Sequence, residues 1–169
     1  MSDFIIRAAT VSDIDLLWPM IQAKVEKMNS LGNDQWGKDY PTKSDYMNDI
    51  LRNELSVAVL ETGTPIGVLC ITLSGDPDYA GIAWEIQAPA LTLHRLVIFR
   101  NVQHLGVVSA LFQKAENCAK GRSIKSIHAV TYSKNDKMME IFSREGYEER
   151  GILYMRNRPF HYIAYEKKL

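Results

Sequence analysis

Residues 93–110 read LHRLVIFRNVQHLGVVSA, and the fold is decided there. An apolar, β-rich run is followed by a polar turn. From 107 to 120 the positions Val108, Leu111, Phe112, Ala115 and Ala119 then share one helical face. Gly121 is placed to cap that helix. Residues 126–131 read as another strand, so strand, helix and strand make a βαβ unit. The first N–H groups of a helix have no intrahelical acceptor, and the macrodipole adds positive potential, so a phosphate or pyrophosphate is the natural guest at this helix start. Gly106 lets the backbone approach such a guest closely.

Upstream, residues 4–7 read as a strand. Thr10 can cap a helix whose apolar positions Ile14, Leu17, Trp18, Ile21, Val25 and Met28 have helical spacing, with Pro19 expected to kink it or shift its start. Residues 29–41 form a loop that carries Trp36 and Tyr40. Ser44 can cap a second helix, and 56–61 and 66–73 form a hairpin across the turn at 62–65. A further strand is expected over 81–87, before the one at Leu91–Ile98. Downstream come a helix over 136–145 ended by Gly146, and strands over 147–155 and 160–166. The order is β-α-α-β-β-β-β-α-β-α-β-β.

With 169 residues, 46% of them hydrophobic, the chain suits a single domain spanning 1–169 and needs no disulfide or metal staple. Twenty basic side chains balance twenty acidic ones, so no global field draws it to nucleic acid or to an anionic membrane. Apolar runs such as 66–73 fall far short of the ~20 residues that span a bilayer. The N-terminus lacks a basic region followed by an apolar one. A soluble, cytoplasmic protein is expected. Cys70 and Cys118 lack any CxxC or Cys/His spacing that holds a metal, and are read as buried free thiols.

The run LHRLVI followed by Gln103-x-x-Gly106 resembles the acyl-CoA-binding motif of the GNAT acetyltransferase superfamily. In that motif Gln or Arg, two residues, Gly, one residue, then Gly or Ala open the helix. Asn135 to Tyr147, NDKMMEIFSREGY, resembles the family's downstream block of Asn, a helix and a closing Gly-aromatic pair. Asp34-Gln35-Trp36, Tyr40-Pro41 and the ending from Pro159-Phe160 to Tyr165-Glu166-Lys167 look similar as well, so the resemblance covers nearly the whole chain.

The resemblance implies an α/β (α+β) fold: one domain with a central mixed, mostly antiparallel twisted sheet of about seven strands and helices on both faces. It also implies acetyl transfer from acetyl-CoA, a co-substrate, to a primary amine, with no metal. The cofactor site would comprise Leu96, Val97, Ile98, Gln103, His104, Leu105, Gly106, Val107, Val108, Ser109, Asn135 and Phe142. Leu96 and Ile98 would offer main-chain groups to the pantetheine arm, and amides from Gln103 to Ser109 would surround the pyrophosphate. Asn135 would touch the cofactor or simply cap its helix.

Two departures add bulk beside the phosphates: Val108 where the family prefers Gly or Ala, and His104 where it often has Gly. Val108 can turn into the core with Leu111 and Phe112. The family's Tyr acid corresponds to Phe142, which removes the expected proton donor and leaves water, Ser143 or Tyr147 to supply the proton. A thiol pKa near ~8.5 makes thiolate a tolerable leaving group, whereas an amine near ~10.4 must first lose a proton. Glu85 is the candidate base and His94 the alternative. The oxyanion would face a backbone N–H near Ile98. Trp36 is the candidate acceptor contact. The acceptor is a small-molecule or protein amine, and homodimerisation through a sheet edge or the tail is open. The competing reading is a non-catalytic CoA-binding or regulatory module of the same fold, with an adaptor carrying an empty groove behind it.

Overall fold

The computed structural model describes residues 3–99, 102 and 105–169. A seven-stranded mixed sheet has the order β1-β2-β3-β4-β5-β7-β6. Its strands are β1 (Phe4–Ala8), β2 (Leu55–Leu60), β3 (Pro65–Thr72), β4 (Leu91–Ile98), β5 (Ser126–Tyr132), β6 (Glu148–Leu153) and β7 (Tyr162–Lys168). The helices are α1 (Ile14–Ser30), α2 (Lys43–Leu51), α3 (Val107–Gly121) and α4 (Asp136–Arg144). β4 and β5 run parallel, as a βαβ unit requires, and the pairs β1–β2, β2–β3, β5–β7 and β6–β7 are antiparallel. Among the described residues no helix is long and apolar enough to cross a membrane.

The chain divides into two compact units, one up to Ile71 with His94–Leu111, the other Thr72–Leu93 with Phe112–Leu169. In the first, α1 buries Ile14, Leu17 and Ile21 against Tyr46, Ile50, Val57, Val68 and Val97, with Trp18, Val25 and Met28 at the margin of that core. Pro19 lies inside α1, so the helix neither starts later nor ends there. The cap of α2 is Thr42 rather than Ser44. The Thr42 hydroxyl accepts from Asp45 N–H, and the Asp45 carboxylate accepts from Thr42 N–H, a reciprocal pairing that a cap two residues later would forgo.

The second unit has its own core of Tyr79, Ile82, Trp84, Tyr132, Leu153, Met155, Tyr162 and Ala164. The strand expected over 81–87 does not form. The alternation is real, since Ile82 and Trp84 are buried, but the Glu85 and Ile86 N–H groups donate to the Glu166 carboxylate at 2.9 and 3.0 Å instead of to a neighbouring strand. β6 starts at Glu148 because Tyr147 N–H still closes on the Phe142 carbonyl, with Gly146 in the left-handed turn at φ +85°. α3 ends through Ser123 rather than Gly121. Ser123 takes φ +56°, and the Ile124 N–H returns to the Ala119 carbonyl. Both thiols are free; Cys70 is buried, whereas Cys118 is only half-buried on α3.

Candidate active site

The β4–α3 connection belongs to the first unit. On β4, Val97 is 3% exposed and enters the core, while Leu96 and Ile98 are half-buried. Gly67 on β3 permits this approach: a Cβ there would lie 2.9 Å from Ile98 Cδ1, 3.2 Å from the Val97 carbonyl oxygen and 3.4 Å from Val107 Cγ1. Leu105 N–H donates to the Val102 carbonyl, Gly106 takes φ +68°, and Ala110 N–H to the Gly106 carbonyl at 3.0 Å opens the intrahelical ladder. Gly106 is therefore needed for a left-handed backbone that L side chains resist.

Val107, 1% exposed, takes the core-facing role expected of Val108, which is half-buried, and Ser109 is exposed. No acidic side chain stands in the first turn of α3, so no carboxylate there competes with an incoming anion. Gln103 and His104 lie outside the described residues.

His94 is half-buried on β4, beside Arg95 at φ +51°. The Arg95 guanidinium donates to both Asp49 carboxylate oxygens, at 2.7 and 2.6 Å, to the Tyr40 hydroxyl at 2.8 Å, and to Cys70 Sγ at 3.7 Å. Burial opposes the charge, but the Asp49 hydrogen bonds outweigh it and hold the guanidinium above its ordinary pKa. Burial first, then the Asp49 charge, pushes the Cys70 thiol well up, which makes it an inert thiol rather than a nucleophile. Asp49, Glu54 and Cys70 also bring ligand atoms within 4.8 Å of one another, and two of the three already face the Arg95 cation. Trp36, 8% exposed, belongs to the same core and meets Tyr40 edge-on at 6.5 Å, so it is a wall of the core more than an open acceptor face.

In the second unit, Glu85 lies outside any strand. It pairs with Arg150 at 2.8 Å and hydrogen-bonds Lys168, and the Lys168 hydrogen bond, with the Arg150 charge, holds its carboxyl below the ordinary range. The same Arg150 donates its Nε–H to Glu166 at 2.7 Å. Ser126 Oγ adds a bond to Glu166 at 2.8 Å, and His128 Nε2 stands 3.6 Å away, 3.0 Å from the Ile86 carbonyl, with its ring stacked on Trp84 at 3.8 Å. Burial lowers the His128 pKa in spite of the nearby Glu166 charge.

Asn135 caps α4, its side chain accepting from Met138 N–H at 3.2 Å. Phe142 is buried, stacked on Tyr165 at 4.8 Å and edge-on to Phe112 at 5.8 Å. Of the hydroxyls expected to replace the missing acid, Ser143 is solvent-exposed. Tyr147 is sealed in the aromatic cluster, where burial raises its pKa far above the ordinary phenol value.

Sequence reading quotes Arg95 and Glu166 only as parts of similar motifs, gives neither a role, and does not single out Asp49. The available signal is a charge that interrupts an apolar run, as in LTLHRLVI, or ends one, as in YIAYEKK; the partner on another element is invisible.

The profile of the Acetyltransferase (GNAT) family matches residues 25–147. Among solved structures, a GNAT family acetyltransferase from Streptococcus agalactiae 2603 is 25% identical over 98% of this chain and 95% of that one, with a TM-score of 0.78. The PaiA N-acetyltransferase from Thermoplasma acidophilum, in complex with coenzyme A, is 16% identical over 98% and 99%, with a TM-score of 0.70. YncA from Salmonella typhimurium, with its cofactor acetyl-CoA, is 12% identical over 99% and 94%, with a TM-score of 0.69. A comparison with curated proteins finds no match. With a family match over 25–147 that takes in the whole β4–α3 connection, and the fold shared with these structures, the chain belongs to the GNAT acetyltransferase family and is an acyltransferase.

Proposed function

We propose that the chain, acting as one domain over 1–169, transfers the acetyl group of acetyl-CoA to a primary amine of a small molecule or protein by direct attack. The observation that carries this reading is the family match across the β4–α3 connection. The structure fits the co-substrate: α3 opens on a left-handed Gly106 with no acidic side chain in its first turn, a suitable seat for a pyrophosphate. Amides from Leu105 to Ser109, with Gln103 and His104, would hold the phosphates. Main-chain groups of Leu96, Val97 and Ile98 would hold the pantetheine arm, Asn135 and Phe142 would border the cofactor, and Trp36 would back the acceptor side. Relatives of this fold that carry coenzyme A and acetyl-CoA support acetyl-CoA as the co-substrate.

The amine attacks the thioester carbonyl, the oxyanion faces a backbone N–H near Ile98, and the thiolate departs with a pKa low enough (~8.5) to leave without a strong acid. Cys70, held as a neutral thiol, supports direct attack over a covalent enzyme intermediate. For the amine proton, Glu85 is already engaged by Lys168 and Arg150, which weakens it as a base, and His94 is the alternative. The two free thiols fit a reducing compartment such as the cytoplasm.

The test is thermal melting with and without acetyl-CoA. Ligand at a hundred times its Kd adds ~2.7 kcal/mol, which raises Tm by roughly 5–10 °C for a chain of this size. An unchanged Tm at millimolar acetyl-CoA refutes the reading. If the cofactor binds, thiol release across a panel of amines separates the enzyme from a non-catalytic CoA-binding module; a flat panel with tight binding favours the module.

A further inference from the structure

Arg95 is a long side chain in the middle of a strand with φ +51°, a left-handed conformation that an L residue keeps only where its surroundings over-determine it. Those surroundings are visible. Asp49 on α2 grips the guanidinium through both carboxylate oxygens, and Tyr40, from the loop before α2, takes a third donor. Arg95 and Asp49 side chains are 12% and 4% exposed, so the pair is sheltered from the screening that makes surface ion pairs negligible. The residue that follows the kink is Leu96, first of the main-chain groups assigned above to the pantetheine arm.

Resting on that assignment, we infer that Asp49 and Tyr40 are positioning residues acting through Arg95. The ion pair holds the kink in β4, and the kink aims the N–H and C=O groups of residues 96–98. Arg95 touches no reacting atom in this scheme. Its side chain is the handle by which α2 fixes the direction of a strand backbone.

Two paired variants isolate backbone conformation from charge. Asp49→Asn with Arg95→Ala, and Asp49→Asn with Arg95→Gly, both remove the ion pair and share whatever the Asn costs. Glycine adopts a positive φ freely, whereas alanine does not. Calorimetric titration with coenzyme A reports on the whole cofactor. Titration with 3′-phospho-ADP, which lacks pantetheine, reports on the helix start alone.

The expected result for the alanine pair is a roughly tenfold rise in Kd for coenzyme A, the scale of one or two main-chain hydrogen bonds. Its Kd for 3′-phospho-ADP stays within about twofold, and the glycine pair recovers most of the coenzyme A affinity. Equal losses in the two pairs, or equal losses for the two ligands, overturn the inference. Failure of the unaltered chain to bind coenzyme A at all instead overturns the cofactor assignment. Should the paired variants fail to fold, Tyr40→Phe removes one hydrogen bond and keeps the ion pair. It should weaken coenzyme A about threefold and spare 3′-phospho-ADP, and an unchanged coenzyme A affinity refutes the clamp.

Discussion

Replacing Glu166 by Gln probes a buried charge that four hydrogen bonds satisfy. Glu166 is 1% exposed and accepts from Glu85 N–H, Ile86 N–H, Ser126 Oγ–H and Arg150 Nε–H at 2.7–3.0 Å. Burial alone would push its carboxyl up, but the Ile86 and Glu85 amides, Ser126 and Arg150 outweigh it and hold the pKa at about 2. Against an unfolded-chain value of about 4.3, that is worth about 3 kcal/mol of stability at neutral pH. The folded value is the lower one, so the contribution is full above about pH 4.3 and is lost as pH falls toward about 2. A Gln amide presents N–H groups to N–H groups, so at pH 7 the variant should be less stable by about 3 kcal/mol or more. Urea unfolding of both proteins at pH 7, 4, 3 and 2 reads the difference. It should shrink steadily below pH 4, because the protonated carboxyl and the amide become near equivalents. A difference that stays constant down to pH 2 refutes the reasoning.

Gly67→Ala should cost ~1–3 kcal/mol by overpacking, since the new Cβ meets the Val97 carbonyl oxygen as well as two side chains; urea midpoints measure it, and coenzyme A affinity should fall because the displaced carbonyl is part of β4. Glu85→Gln distinguishes the two bases: a rate lost mainly on the acid side of the pH profile returns the role to Glu85, and an unchanged profile leaves it with His94 or water.

What was legible in the sequence was whatever local spacing controls. The α1 stripe, the hairpin of β2 and β3, and the β4–α3–β5 unit each follow from a period of 2 or 3.6 and a turn signal. The match to the family over 25–147 bears out the identity read from 93–110 and 135–147. The misses came from partners distant in sequence. Residues 81–87 alternate like a strand because Ile82 and Trp84 do enter a core, but their hydrogen bonds are claimed by a carboxylate some eighty residues later. The Arg95 side chain is part of the legible motif, while its partner Asp49 on α2 is 46 residues away and reads locally as one more polar helix position. Thr42 and Ser44 both suit a helix cap, and only the reciprocal Asp45 bonds choose between them.

The backbone N–H groups of Glu85 and Ile86 are both held by one side chain where a strand would have used separate carbonyls. A ladder frays from its end, amide by amide, whereas the Glu85 and Ile86 N–H groups donate to the two oxygens of one carboxylate and open to solvent together when that carboxylate leaves. Hydrogen exchange at these two positions therefore has one opening free energy, which moves with the charge on one carboxylate. A single carboxylate thus governs the joint opening of two neighbouring amides in a stretch of backbone that forms no strand of its own.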